Sequence, residues 1–102
     1  MGAHRNTPQV RGGVLFVRTD TGDNEERIIV GGDRWEEWLD ENHHFSFIND
    51  VGKFTARKDR RRNTYYWYAY RKINGKLKNK YLGKSDKLTD QKLYDTAKSF
   101  GL

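Results

Sequence analysis

Apolar and polar positions along this chain recur with two periods, and the points where the period switches mark its elements. Residues 14–18 and 27–30 are short runs rich in β-branched side chains. They are separated by the turn-forming Asp20-Thr21-Gly22-Asp23-Asn24 and predict a hairpin. Gly31-Gly32 ends the second strand. Asp33 is then placed to cap a helix, with Glu36 three residues on completing a capping box. Across 34–41, Trp35, Trp38 and Leu39 fall on one helical face, which is the pattern of packing. Phe45 and Phe47 alternate with Ser46 and Ile48 and predict a third short strand, closed by Gly52.

The second half has the sharper pattern. Residues 54–59 alternate as a strand, Arg60-Arg61-Arg62-Asn63 forms a basic connection, and 64–72 is a strongly β-favouring run containing Tyr65-Tyr66-Trp67-Tyr68-Ala69-Tyr70. Asn74-Gly75 is the strongest local hairpin signal, because both residues tolerate positive φ. Residues 76–84 form the returning strand, and Ser85 or Asp86 begins a turn. Thr89 caps a helix over 90–100, with Leu93, Ala97 and Phe100 at i, i+4, i+7 and Gly101 as its stop.

With Asn74-Gly75 as the two turn residues, Ile73 pairs with Lys76 and the register follows. One face holds Tyr66, Tyr68, Tyr70 and Lys72 opposite Leu77, Asn79 and Tyr81. The other holds Trp67, Ala69, Arg71 and Ile73 opposite Lys76, Lys78, Lys80 and Leu82. The expectation is that the last helix covers the tyrosines, with Phe54 and Ala56 in the core. Arg71, Lys78 and Lys80 then point outward, joined by Thr55 and Arg57. A one-residue slip would bury that cationic row and expose the tyrosines as stacking platforms for a single strand.

Charge sharpens this picture. Residues 1–52 contain five Arg and ten acids, a net of −5, and residues 53–102 contain fifteen basic residues and four acids, a net of +11. A half this basic points to a polyanionic partner. The chain is 102 residues long and 14% aromatic with a mean hydropathy of −1.07, which fits a highly charged surface around a small aromatic core. The absence of cysteine excludes a disulfide framework and a cysteine nucleophile. The apolar runs are too short to span a membrane, the amino terminus lacks a secretory layout, and a cytoplasmic location follows as the default. His43-His44 diverge, with His4 far off in sequence, so no metal site is expected. Asp90-Gln91-Lys92 sits at a helix start, where an acid simply favours the dipole, and Gly83-Lys84-Ser85 lacks the glycine spacing of a phosphate loop. No catalytic residue and no cofactor are expected.

The string Phe54-Thr-Ala-Arg-Lys-Asp59, Tyr66-Trp-Tyr-Ala-Tyr-Arg71, Asn74-Gly-Lys-Leu77, Tyr81-Leu-Gly-Lys84 and Leu88-Thr89 resembles a segment found before the ATPase part of some LuxR/MalT-type bacterial regulators and in some mobile-element proteins. That resemblance runs from about Val14 and includes Trp35-x-x-Trp38-Leu39. Residues 53–101 are also similar, in architecture more than in letters, to the arm-binding domain of tyrosine-recombinase integrases, whose three-stranded sheet enters the DNA major groove. The resemblance implies DNA-facing roles for Arg57, Arg71, Lys78 and Lys80. It also implies a prokaryotic protein linked to transcription regulation or a mobile element.

The sequence therefore predicts an α+β fold made of small antiparallel sheets. Residues 1–13 form a flexible tail, 14–52 an acidic hairpin and short helix, and 53–102 a basic three-stranded antiparallel sheet packed by a C-terminal helix. The expected function is non-enzymatic binding of duplex DNA through the basic sheet face, using Arg57, Arg60, Arg61, Arg62, Trp67, Arg71, Lys76, Lys78, Lys80 and Lys84. The alternatives are an RNA or single-stranded DNA binder that stacks bases on tyrosine, and an adaptor whose acidic half docks a protein. No membrane partner is expected.

Overall fold

A computed structural model describes residues 7–18 and 25–100. Residues 1–6 (with His4), the turn Asp20–Asn24 and the helix stop at Gly101 lie outside the described residues. The strands are β1 (Gln9–Arg11), β2 (Val14–Arg18), β3 (Glu25–Ile29), β4 (His44–Asn49), β5 (Gly52–Arg61), β6 (Thr64–Ile73) and β7 (Lys76–Gly83). The helices are α1 (Asp33–Glu41) and α2 (Asp90–Phe100), with a 3-10 turn at Ser85–Lys87. All seven strands form one mixed sheet in the order β3-β2-β1-β4-β5-β6-β7, antiparallel except for the β1–β4 pair. The fold is small α+β, with a larger sheet than the separate small ones expected.

The joint is β1, which falls in the stretch expected to be a flexible tail. Its centre, Val10, is fully buried between Leu15 of β2 and Phe47 of β4, while Gln9 and Arg11 point the other way. One apolar residue flanked by polar ones carries no visible period, which is why this strand is hard to read from sequence. The positions Asp33 and Glu36 also differ from expectation. Gly32 is the N-cap, without a side-chain capping bond, and both acids sit inside the first turn, where the helix dipole favours them. Thr89 does cap α2, its Oγ1 accepting from the Lys92 N–H at 3.1 Å. Gly52 begins β5 rather than closing the segment before it.

Both helices lie on one face of the sheet. Trp35 and Trp38 of α1 meet Phe45 edge-on at 5.6 and 6.3 Å, and Phe45 meets Trp67 at 5.3 Å. The Trp35 indole N–H donates to the Leu88 carbonyl at 2.7 Å, tying α1 to the lead-in of α2. Leu93 and Ala97 of α2 are fully buried in the same cluster, and Phe100 packs on Phe54 at 6.2 Å. The acidic and basic halves therefore share one core. Lys58 reinforces the union: its ammonium donates to the Leu39 and Asp40 carbonyls at 2.7 and 3.0 Å, where a cation suits the end of α1. Burial pushes the Lys58 ammonium below its ordinary value, and Asp40 offsets part of that. No helix among the described residues is long and apolar enough to cross a membrane.

Helix α2 comes so close to β5 that Gly52 has no room for a side chain. A Cβ there would stand 2.9 Å from the Ala97 carbonyl oxygen, a backbone atom that cannot swing aside. Gly52→Ala should therefore lower stability by about 1–3 kcal/mol, read as a shifted urea midpoint with an unchanged slope.

Candidate functional site

The helices cover the face that was expected to point outward. Trp67 and Ala69 are fully buried, and Ala69 pairs with Ala56, leaving a shallow floor on which α2 can settle. Thr55 pairs with Tyr70 and Arg57 with Tyr68, so both lie on the tyrosine side and not beside Trp67. The register beyond Asn74-Gly75 is the expected one, with Ile73 opposite Lys76, Arg71 opposite Lys78 and Ala69 opposite Lys80. A bulge between Trp67 and Tyr68 shifts the pairing at the far end. The correction thus concerns the face that is covered and leaves the pairing intact.

The uncovered face carries Tyr66, Tyr68 and Tyr70 of β6 and Tyr81 of β7. Tyr81 is 55% exposed, and its ring lies 5.9 Å from Tyr66 and 5.5 Å from Tyr68, the latter edge-on. The Arg61 guanidinium sits over Tyr68 at 5.2 Å from the ring centre. Arg60, Arg61, Arg62, Tyr66, Tyr68 and Tyr81 together line a depression of about 570 Å³ at the β5–β6 hairpin end. Arg60 is braced there by donating to the Arg62 carbonyl at 3.1 Å and to Asn63 Oδ1 at 3.4 Å. Arg62 holds a φ of 60° in the turn, a conformation that glycine or asparagine would adopt at lower cost. A two-residue hairpin turn asks for positive φ at this first position, as Asn74 shows in the next hairpin.

The structure thus brings Arg57, Arg60, Arg61 and Arg62 together with tyrosines, and it sets the other candidates apart. Trp67 is fully buried, with its indole N–H donating to Ser85 Oγ at 3.1 Å, so it is a core residue. Arg71 is half-buried on the helix side, its Nη1 beside Gly52 and α2. Lys78 and Lys80, opposite Arg71 and Ala69, lie exposed on that same side, with the Lys80 ammonium 5.4 Å from the Phe100 ring centre. Lys76 lies next to the Asn74-Gly75 turn. Lys84 faces a separate groove with Glu36, Asp40 and Asp86. Four rings in alternation suggest packing, but the Ala56 and Ala69 pair makes the opposite face the smooth floor for the helix.

Asp59 is the acid of β5 on the open face. It accepts from the Tyr70 hydroxyl at 3.2 Å and stands 4.0 Å from Arg61. Burial first, and Asp59 second, push the Tyr70 phenol above its ordinary value of 10.0. A group raised on folding stabilises the fold below its unfolded pKa and loses that contribution as pH rises through its folded one. An alkaline titration of phenolate absorbance should therefore show Tyr70 ionising late. Asp59→Asn should shorten that delay without abolishing it, and an unchanged delay would assign the whole shift to burial.

A family model described as a domain of unknown function (DUF6788) matches residues 34–92, more than half of the chain. The match takes in α1, the tyrosine face and the start of α2. No curated protein and no solved structure matches the chain.

Proposed function

The chain belongs to that family of unknown function, so its role is read from its surface, and we propose that it binds single-stranded nucleic acid, RNA or DNA, on the open face of β5–β7. The observation that carries this reading is the cluster of Tyr66, Tyr68 and Tyr81 with Arg57 and Arg61 on a face no helix covers, joined by Arg60 and Arg62 at the adjoining hairpin end. Unpaired bases stack on aromatic rings whatever their identity, and guanidinium groups hold phosphates or extend the stack. The tyrosines are already held by the sheet and by one another, so little side-chain freedom is lost when a base lands on them.

The sheet's twist also favours a flexible ligand. Neighbouring strands turn by roughly 20–25°, so a path across several strands follows a saddle. A duplex, stiff over about 150 base pairs, would touch one sector, whereas a single strand follows the surface. A second reading rests on architecture. Three antiparallel strands with a helix on one side and the other side open, as in β5–β7 with α2, also suit insertion into a major groove.

Fluorescence anisotropy with twelve-residue single-stranded DNA, the matching RNA and a twelve-base-pair duplex, at two salt concentrations, separates the readings. Single strands should bind more tightly than duplex. Four arginine contacts at roughly 0.7 per phosphate predict a log–log salt slope of about −3. A tighter duplex complex would favour groove insertion, and no binding at low salt would overturn both readings.

A further inference from the structure

We propose that the single-strand track continues across the sheet to a second aromatic contact at Phe16, in the half of the chain that is acidic overall; this rests on the reading above and extends it. The first half's charge is misleading once folded. Glu36, Glu37, Asp40 and Glu41 lie on α1, and Glu26 turns towards that helix to meet Arg34 at 3.4 Å. Strand alternation instead brings Arg11, Arg18 and Arg27 onto the same open face as Lys53, Arg57, Arg61 and Lys72. Against these seven cations, the strands place only Glu25 and Asp59 on that side among the described residues. The cationic surface therefore spans the sheet from β3 to β6, although the sequence divides sharply at residue 52.

Phe16 is the ring at the far end of this surface. The Arg11 guanidinium lies 4.3 Å from its centre and that of Arg27 lies 5.4 Å away, which repeats the arginine-over-aromatic arrangement of Arg61 on Tyr68. Arg27 remains 69% exposed, although Glu25 stands 3.7 Å away. Cross-strand pairing puts Phe16, Gln9, Ser46, Thr55 and Tyr70 in one row. The side chains between the two rings are thus short or polar and offer hydrogen-bonding groups. A shallow trough of about 1010 Å³ runs along the middle of this row and is lined by Gln9, His44, Ser46, Thr55, Arg57 and Tyr70 among others. Four strand spacings of about 4.8 Å separate Phe16 from Tyr70, roughly 19 Å. At 3.4 Å or more per nucleotide, about six stacked nucleotides or fewer extended ones fill that gap.

The test is the dependence of affinity on oligonucleotide length. Oligothymidylates of three, six and twelve residues are titrated against the full chain, Phe16→Ala/Arg27→Ala and Tyr81→Ala/Arg61→Ala. The full chain should gain affinity up to the twelve-residue length. Phe16→Ala/Arg27→Ala should bind the trimer as the full chain does but lose about tenfold on the twelve-mer, flattening the length dependence. Thermal melting of each variant separates lost contact from lost fold. If Tyr81→Ala/Arg61→Ala weakens every length while Phe16→Ala/Arg27→Ala weakens none, the second contact is wrong and the tyrosine site stands. If neither pair changes affinity at any length, the tyrosine site itself fails.

Discussion

Tyr68→Ala with Tyr81→Ala is expected to weaken binding of a twelve-residue single strand by about a hundredfold, since each stacked base contributes about 1–3 kcal/mol. The two rings meet edge-on at 5.5 Å on the open face, so a base resting on one is bordered by the other. Truncating them removes the platform and leaves Arg57 and Arg61 in place. The salt slope should therefore stay near its original value while affinity falls. Lys78→Ala with Lys80→Ala provides the contrast. These lysines lie on the helix side, and their removal should change single-strand affinity by no more than the general loss of positive charge requires. A larger effect from the lysine pair than from the tyrosine pair would relocate the binding surface to the helix side.

The second large effect is on stability. Trp67→Ala is expected to cost about 3–5 kcal/mol, the range for removing a large buried aromatic. Trp67 is fully buried, packs on Phe45 at 5.3 Å and donates its indole N–H to Ser85 Oγ. Domains of this kind have roughly 5–15 kcal/mol in total, so the variant should unfold at much lower urea or fail to accumulate. Trp67→Phe keeps most of the packing and loses the hydrogen bond, and should cost less. If Trp67→Ala melted like the parent chain and lost only nucleic-acid affinity, the side chain would have to face outward.

Much of the second half is legible in the sequence. Asn74-Gly75 sets the β6–β7 register and Thr89 caps its helix; in the first half, the Trp35, Trp38 and Leu39 stripe is buried as its spacing requires. The covered face was harder to read because tyrosine is ambiguous: its ring packs and its hydroxyl prefers water, so the same four residues fit either side. The charges of Arg71, Lys78 and Lys80 made that side look exposed. Lys78 and Lys80 do stay exposed beside the helix while Arg71 is half-buried against Gly52 and α2, and alternation alone does not show where a helix covers a sheet. The neighbouring Ala56 and Ala69 were the better guide, since a helix packs closely where the sheet is smooth. The long-range joins were beyond local reading altogether. The parallel β1–β4 pair depends on one apolar residue, Val10, and the cationic character of the acidic half depends on which side of each strand its arginines occupy.

The placement of β1 also bears on how the molecule assembles. On one side stands β2–β3, and on the other β4, β5, β6 and β7 follow as successive hairpins, each closing between neighbours in sequence. Such local closures form quickly, whereas the β1–β4 seam joins positions more than thirty residues apart and waits for a longer loop to close. The tyrosine platform belongs to the fast part. A parting of the sheet between β1 and β4 during assembly would leave the stacking surface intact, since its rings all stand on β6 and β7.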